Sequence, residues 1–220
     1  MPHSNSQEQP TTKQRREQQR QEKLAEFNRQ KARSKRNKRI GVIVGVTAGV
    51  AVVGLLATVV FSSLNKPERD EINIAGAETF EGLTNNHVTG TVEYEQSPPV
   101  GGDHNSYWLN CAAYTEEVPQ ENAVHSLEHG AVWVTYDPKK LNEDEVATLR
   151  GKLPSTYVIL SPKSDLPSPI VMSAWGAQVK LSDPTDDRIQ RFLDKYWKSP
   201  SVPEPGASCS GALDGPGKDS

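Results

Sequence analysis

Four of the chain's five histidines, His87, His104, His125 and His129, lie between residues 87 and 129. Two of them belong to the run Val124-His125-Ser126-Leu127-Glu128-His129-Gly130, which fits H-x-x-E-H, the spacing of one class of zinc peptidases. On a helix, imidazoles four residues apart share a face and can hold one ion, with a carboxylate alongside to act on bound water. In an extended segment the same Cα atoms stand about 13 Å apart, so a shared ion requires at least a helical turn. Gly130 and the apolar stretch after it limit that turn to about one. A peptidase of this class needs the motif inside a long helix and a further acidic ligand downstream, and neither is visible. Metal binding without proteolysis fits better. The predicted ligand set is His125 and His129 from the turn, His104 from a Pro-Gly loop and His87 at the start of a strand. Glu128 is a further ligand or a carboxylate that orients one imidazole. Imidazole donors outside the cytoplasm suit zinc or copper. The competing reading is that these histidines hydrogen-bond loop backbone and cap a strand.

The chain has two cysteines, Cys111 and Cys209. There is no C-x-x-C, and an even count on the oxidising side of a membrane predicts a Cys111 to Cys209 disulfide. A free Cys111 would instead be a soft fifth ligand and would favour copper over zinc. No phosphate loop, dinucleotide fingerprint or G-x-S-x-G occurs, so kinase, dehydrogenase and serine-hydrolase chemistry has no foothold.

The elements that must position these residues follow from a sharp shift in composition. Residues 1–39 carry twelve basic and four acidic residues, residues 40–64 carry no charge, and the whole chain is −3, which leaves −11 on residues 65–220. Total charge therefore hides two opposed pieces and gives no support for a nucleic-acid partner. Residues 1–39 are too polar to bury a core and read as a basic cytoplasmic segment, a polar helix or disordered, drawn to anionic headgroups of the lipid bilayer. At 1.5 Å per residue the uncharged stretch makes roughly 37 Å of helix, enough to cross a hydrocarbon core of about 30 Å. Basic residues abut its start and acidic ones follow its end, which predicts a single-pass cell-membrane protein with a cytoplasmic N-terminus and an extracytoplasmic C-terminal domain. Within it Gly41, Gly45 and Gly49 repeat every fourth residue, a spacing that lets another transmembrane helix approach closely and that is also common in membrane helices generally.

Beyond the span, residues 65–86 read as an exposed linker and residues 87–199 as one exported domain. Val88 to Glu95 alternates as a half-buried strand and stops at Ser97-Pro98-Pro99-Val100-Gly101-Gly102. Ala131 to Tyr136 is the strongest strand signal, closed by Asp137-Pro138. Asn142 with Glu145 forms a capping-box pattern for a helix. Tyr157 to Leu160 and Ile170 to Leu181, interrupted at Gly176, read as strands, and a last helix places Ile189, Phe192, Leu193 and Tyr196 on one side. Residues 200–220 read as a Pro/Gly-rich tail pinned, if at all, at Cys209. The fold class is α+β, a single domain with a largely antiparallel sheet and two helices covering one face.

Several of these motifs together are familiar. His87, Tyr94 with Pro98-Pro99 and Gly101-Gly102, His104, Cys111 with Tyr114, Glu121, the Val124 to Gly130 run and Tyr136 resemble a family of membrane-anchored bacterial proteins defined as a domain of unknown function. The likeness continues through Leu160-Ser161-Pro162, Ser173-Ala174-Trp175-Gly176 and Glu204-Pro205-Gly206-Ala207-Ser208-Cys209, about residues 80 to 211. It implies one anchor, an exported domain, mostly high-GC Gram-positive hosts and no assigned activity. Ala112 stands where that family more usually has glycine. Sequence thus predicts an anchored, non-hydrolytic metal-binding domain in metal handling or complex assembly; the alternative is a structural or partner-binding subunit without metal.

Overall fold

The computed structural model describes residues 15–17, 19–38, 41, 45, 54 and 68–219, which fall into two units, Met1–Lys66 and Pro67–Ser220. In the first unit residues 19–38 form helix α1, exposed all round, Leu24 and Phe27 included. A helix this polar has no face to bury. Among the described residues no helix is long and apolar enough to cross a membrane. The span predicted over residues 40–64, with its Gly49, lies outside the described residues apart from Gly41, Gly45 and Gly54.

The second unit is an α+β domain. Its elements are β1 (Ala77–Thr79), α2 (Gln120–Glu128), β2 (Val132–Tyr136), α3 (Glu143–Gly151), β3 (Val158–Pro162), β4 (Ile170–Ala174), β5 (Ala177–Leu181) and α4 (Arg188–Tyr196). The strands form one sheet in the order β1-β5-β4-β2-β3. Every pairing is antiparallel except β2 with β3. That parallel pair needs a crossover, and α3 supplies it. The capping box predicted at the start of α3 is formed, Asn142 accepting from the Glu145 N–H and Glu145 from the Asn142 N–H. The predicted break at Gly176 becomes the tight turn between β4 and β5.

Helices cover both faces of the sheet, where the sequence predicts two helices on one. The reason lies in β2. Its alternation sends Val132 and Val134 into a core with Leu149 near the end of α3 and Ile189, Phe192 and Leu193 of α4. It sends Trp133 the other way, with Ile159 of β3, into a second core closed by Ala123 and Leu127 of α2 and by Leu109, Tyr114 and Val118. Trp133 and Ile159 are almost fully buried, and burying such side chains is worth roughly 1.5–3 kcal/mol each. A second cover is therefore required, and α2 is the part of it that carries the histidine motif.

One further expectation is corrected. Val88 to Glu95 does alternate, with Val88, Val92 and Tyr94 half-buried between exposed neighbours, but it is not a strand. Its amides are satisfied singly, Val88 N–H by the His104 carbonyl and Val92 N–H by the Glu121 carboxylate, and Gly90 turns the chain at φ +99°. Alternation reports one-sided burial, which a loop lying on a domain also has. The linker and tail are likewise packed. Ile72 and Ile74 join the first core, β1 pairs with β5, and residues 209–219 exchange backbone hydrogen bonds with residues 108–115.

Candidate metal centre

The His125 motif forms a helix because Pro119 starts it and Gly130 stops it. Ala131 N–H donates to the Ser126 carbonyl and Gly130 N–H to the Leu127 carbonyl, with Gly130 at φ +94°, the paired-bond helix stop that requires a left-handed residue. The helix is nine residues long, with His129 as its C-cap, so the predicted single turn is lengthened to about two and a half. Val124 and Leu127 face the core, leaving His125 and Glu128 on the adjoining side. Ser126 donates to the Leu109 carbonyl and Asn122 to the Tyr107 carbonyl, which clamps the loop carrying His104 against α2.

That loop comes close for a steric reason. Gly101 has φ +149°, and a Cβ there would stand 2.7 Å from Leu83 Cδ1 and 3.3 Å from the Trp175 ring. Only glycine lets the backbone pass the indole. His104 then lies edge-on to Trp175 with ring centroids 6.0 Å apart. Tyr94 holds the loop by donating to the Asp103 carbonyl at 2.8 Å. Burial, helped by Glu121 and Asp103, keeps that phenol well above its ordinary pKa and so in the donor form.

The rings meet. Centroid separations are 5.0 Å for His87 and His104, 4.8 Å for His87 and His125, 4.9 Å for His104 and His125, and 4.7 Å for His125 and His129. His104, His125, His129 and Glu128 are buried, while the His87 side chain is 45% exposed. His87 is the part of the cluster that reaches solvent on its side.

The hydrogen bonds at Nδ1 fix the chemistry. His104 Nδ1 contacts the Gly102 carbonyl at 2.8 Å, His125 Nδ1 the Asn105 carbonyl at 2.7 Å and His129 Nδ1 the Ser208 carbonyl at 2.6 Å. A carbonyl oxygen only accepts, so each Nδ1 carries the proton and, in the neutral ring, each Nε2 presents a lone pair. This is the outer support that metal-binding imidazoles ordinarily have. Burial first, then the neighbouring His129, His104 and His87, hold His125 below the usual imidazole pKa against the opposing pull of the Asn105 carbonyl. His125 is therefore neutral near pH 7.

Glu128 completes the group. Its Oε1 accepts from Asn85 Nδ2 at 3.1 Å, while Oε2 lies 2.9 Å from His104 Nε2 and 3.9 Å from His87 Nε2. The 2.9 Å separation is within hydrogen-bond reach, yet no hydrogen bond is formed. Both buried atoms are left without a hydrogen-bond partner. An imidazole nitrogen and a carboxylate oxygen, both buried and unsatisfied, form a place for a cation.

Ligand atoms of His87, His104, His125 and Glu128 all lie within 4.8 Å of one another, as do those of His125, His129 and Glu204. Tetrahedral zinc with bonds of about 2.0–2.1 Å spaces its donors roughly 3.4 Å apart, so each set fits such an ion after modest side-chain shifts that part the closest donors and draw in the farthest. Four of the five predicted ligands thus converge. His129 adjoins them through His125, with its Nε2 3.2 Å from Glu204 Oε2. Neither Glu204, which belongs only to the family likeness, nor Asn85, which lies in the polar run Thr84-Asn85-Asn86, stands out in the sequence as a site residue; neither stretch has a periodicity, and packing brings both in. Cys111 is bonded to Cys209, with Cα atoms 5.4 Å apart. The predicted disulfide is present, which takes the soft-ligand role from Cys111.

Fold and site together define an α+β domain organised around a buried histidine and carboxylate cluster. The chain belongs to a family of proteins of unknown function, DUF3105, whose profile matches residues 87–211. That stretch contains the whole cluster and both cysteines. No curated protein and no solved structure matches the chain.

Proposed function

We propose that this chain is a single-pass membrane protein whose extracytoplasmic DUF3105 domain binds one transition metal ion, zinc or copper, through His87, His104, His125 and Glu128. Its role is metal handling or assembly of a membrane complex. The observation that carries this reading is the convergence of ring nitrogens of His87, His104 and His125, the last two with Nδ1 locked to backbone carbonyls, around Glu128, whose buried Oε2 is unsatisfied. Histidines that only capped a strand would not leave acceptors facing one another in a buried space. Three imidazole nitrogens and one carboxylate oxygen are a borderline donor set, which suits Zn²⁺ or Cu²⁺ over Mg²⁺ or Ca²⁺. The placement outside the cytoplasm is supported by the basic flank of residues 35–39 and by the Cys111–Cys209 bridge, since such bridges persist in oxidising compartments.

Metal content of the purified full-length chain tests the reading, beside a His104→Ala, His125→Ala double variant. The expected result is about one equivalent in the wild type and a negligible amount in the variant. Equal, negligible content in both would move the case to the second reading, a partner-binding subunit without metal. That reading rests on the Gly41, Gly45 and Gly49 spacing and is tested by association of a Gly45→Ile variant. Topology is tested by labelling an added N-terminal cysteine from either side of the membrane.

A further inference from the structure

The two ligand groups overlap at one residue, His125. His125 spends Nδ1 on the Asn105 carbonyl, so only its Nε2 can coordinate, yet it belongs to both groups. It can serve one ion at a time. His129 is built as a ligand in the same way as His104 and His125: buried, with Nδ1 on the Ser208 carbonyl and Nε2 presented to Glu204 Oε2 at 3.2 Å. The carboxylate it faces differs from Glu128 in one respect, since the Glu204 side chain is 48% exposed and that of Glu128 is 2% exposed.

Glu204 is also held in place. Its N–H donates to the Glu128 carbonyl, and its segment is anchored by Tyr157 on the Ala207 carbonyl and by Cys209. Trp108 lies beside the shared ligand, with centroid distances of 5.8 Å to His125 and 5.2 Å to His129 and a buried Nε1 that has no partner.

We propose that His125, His129 and Glu204 form a second metal position, open to solvent at Glu204, that shares His125 with the buried one. A single divalent ion occupies one position or the other and passes between them by exchanging the remaining ligands while His125 stays bound. No ligand changes oxidation state or charge in that exchange; the ion leaves His129 and Glu204 as it gains His104 and Glu128. This inference rests on the metal-binding reading above.

The test is Co²⁺ titration of the full-length protein, followed by visible absorption and by Trp fluorescence with a Trp108→Phe control. Wild type is expected to bind one equivalent. His104→Ala, Glu128→Gln disables the inner position and His129→Ala, Glu204→Gln the outer; each is expected to bind one equivalent more weakly, with distinct spectra. His125→Ala is expected to bind none. Glu204 is half-exposed, so its loss does not threaten folding. Adding Glu204→Gln to the inner-position variant is expected to weaken Co²⁺ at least about tenfold. Two equivalents on wild type would overturn the shared ligand. No binding by the inner-position variant, with wild type still binding one, would overturn the second position and leave the metal-binding reading standing. Absence of Co²⁺, Zn²⁺ and Cu²⁺ binding by wild type would overturn both.

Discussion

His104 Nε2 stands 2.9 Å from Glu128 Oε2 in the buried middle of the domain, although these residues are 24 positions apart in the chain and come from a loop and a helix. With Nδ1 of His104 protonated on the Gly102 carbonyl, both facing atoms are acceptors in the neutral ring. Such a pair is unfavourable alone and favourable around a cation.

Glu128→Gln should therefore act with opposite signs on the two forms. Metal affinity should fall at least about a hundredfold, since a ligand matters more than the outer-sphere groups whose loss costs about 10- to 100-fold. The metal-free domain should be as stable as wild type or more so, because a buried charge has been removed. Thermal melts with and without chelator check both signs; destabilisation of the chelated form would show that the carboxylate is structural.

Gly130→Ala should destabilise the domain. The residue sits at φ +94°, and a Cβ would lie 3.3 Å from Lys198 Cα, a backbone atom that cannot swing aside. Loss of the left-handed stop is worth about 1–2 kcal/mol, and His129, one residue earlier, should shift with it. Urea unfolding measures the first effect and metal content the second. A variant as stable as wild type would mean that the helix end is not where the fold is held.

Reducing or removing the Cys111–Cys209 bridge should lower stability by roughly 2–5 kcal/mol, since it closes a loop of 98 residues. The tail holding Glu204 and the Ser208 carbonyl should become the first region to exchange its amides. Hydrogen exchange with and without reductant checks this, and uniform loosening of the whole domain would contradict it.

Asp137 ends β2 and is buried. Its Oδ1 accepts from the Lys139 N–H at 2.9 Å and its Oδ2 pairs with Lys140 at 3.1 Å. The Lys139 amide first, then Lys140, hold its carboxyl below the usual range against the opposing effect of burial. A lowered folded-state pKa stabilises the protein above the unfolded value of about 3.9, and that contribution is lost as pH falls through the folded value. Asp137→Asn should cost on the order of 1 kcal/mol at pH 7 and nothing once Asp137 itself is protonated. Denaturation at pH 7 and pH 3 checks the difference; an equal penalty at both would assign the effect to packing.

Much of the scaffold was legible. The alternating β-branched and aromatic run of β2, the Asn142 and Glu145 pair and the Ile189, Phe192, Leu193 stripe each encode an element through local geometry, and all three are present. Val88 to Glu95 misled because one-sided burial and strand pairing share a period of two, and only a neighbouring strand separates them. β1 carried no signal because three residues cannot show periodicity, and it exists only because β5 offers an open edge. The helix at His125 is longer than its motif alone predicts. The motif gives its stop at Gly130, but its start depends on Pro119 and on Trp133 needing cover.

By itself the sequence determined which atoms could bind a metal, the spacing that puts His125 and Glu128 on one helical turn, and the cysteines that could close the tail, because side-chain identity and helical pitch are local properties. Only the tertiary structure decided that His87 and His104 join them, that His129 turns to Glu204 instead, and that Asn85 steadies Glu128. Those are contacts between distant segments, fixed by which hydrophobic faces must be buried together, and no spacing along a chain records them.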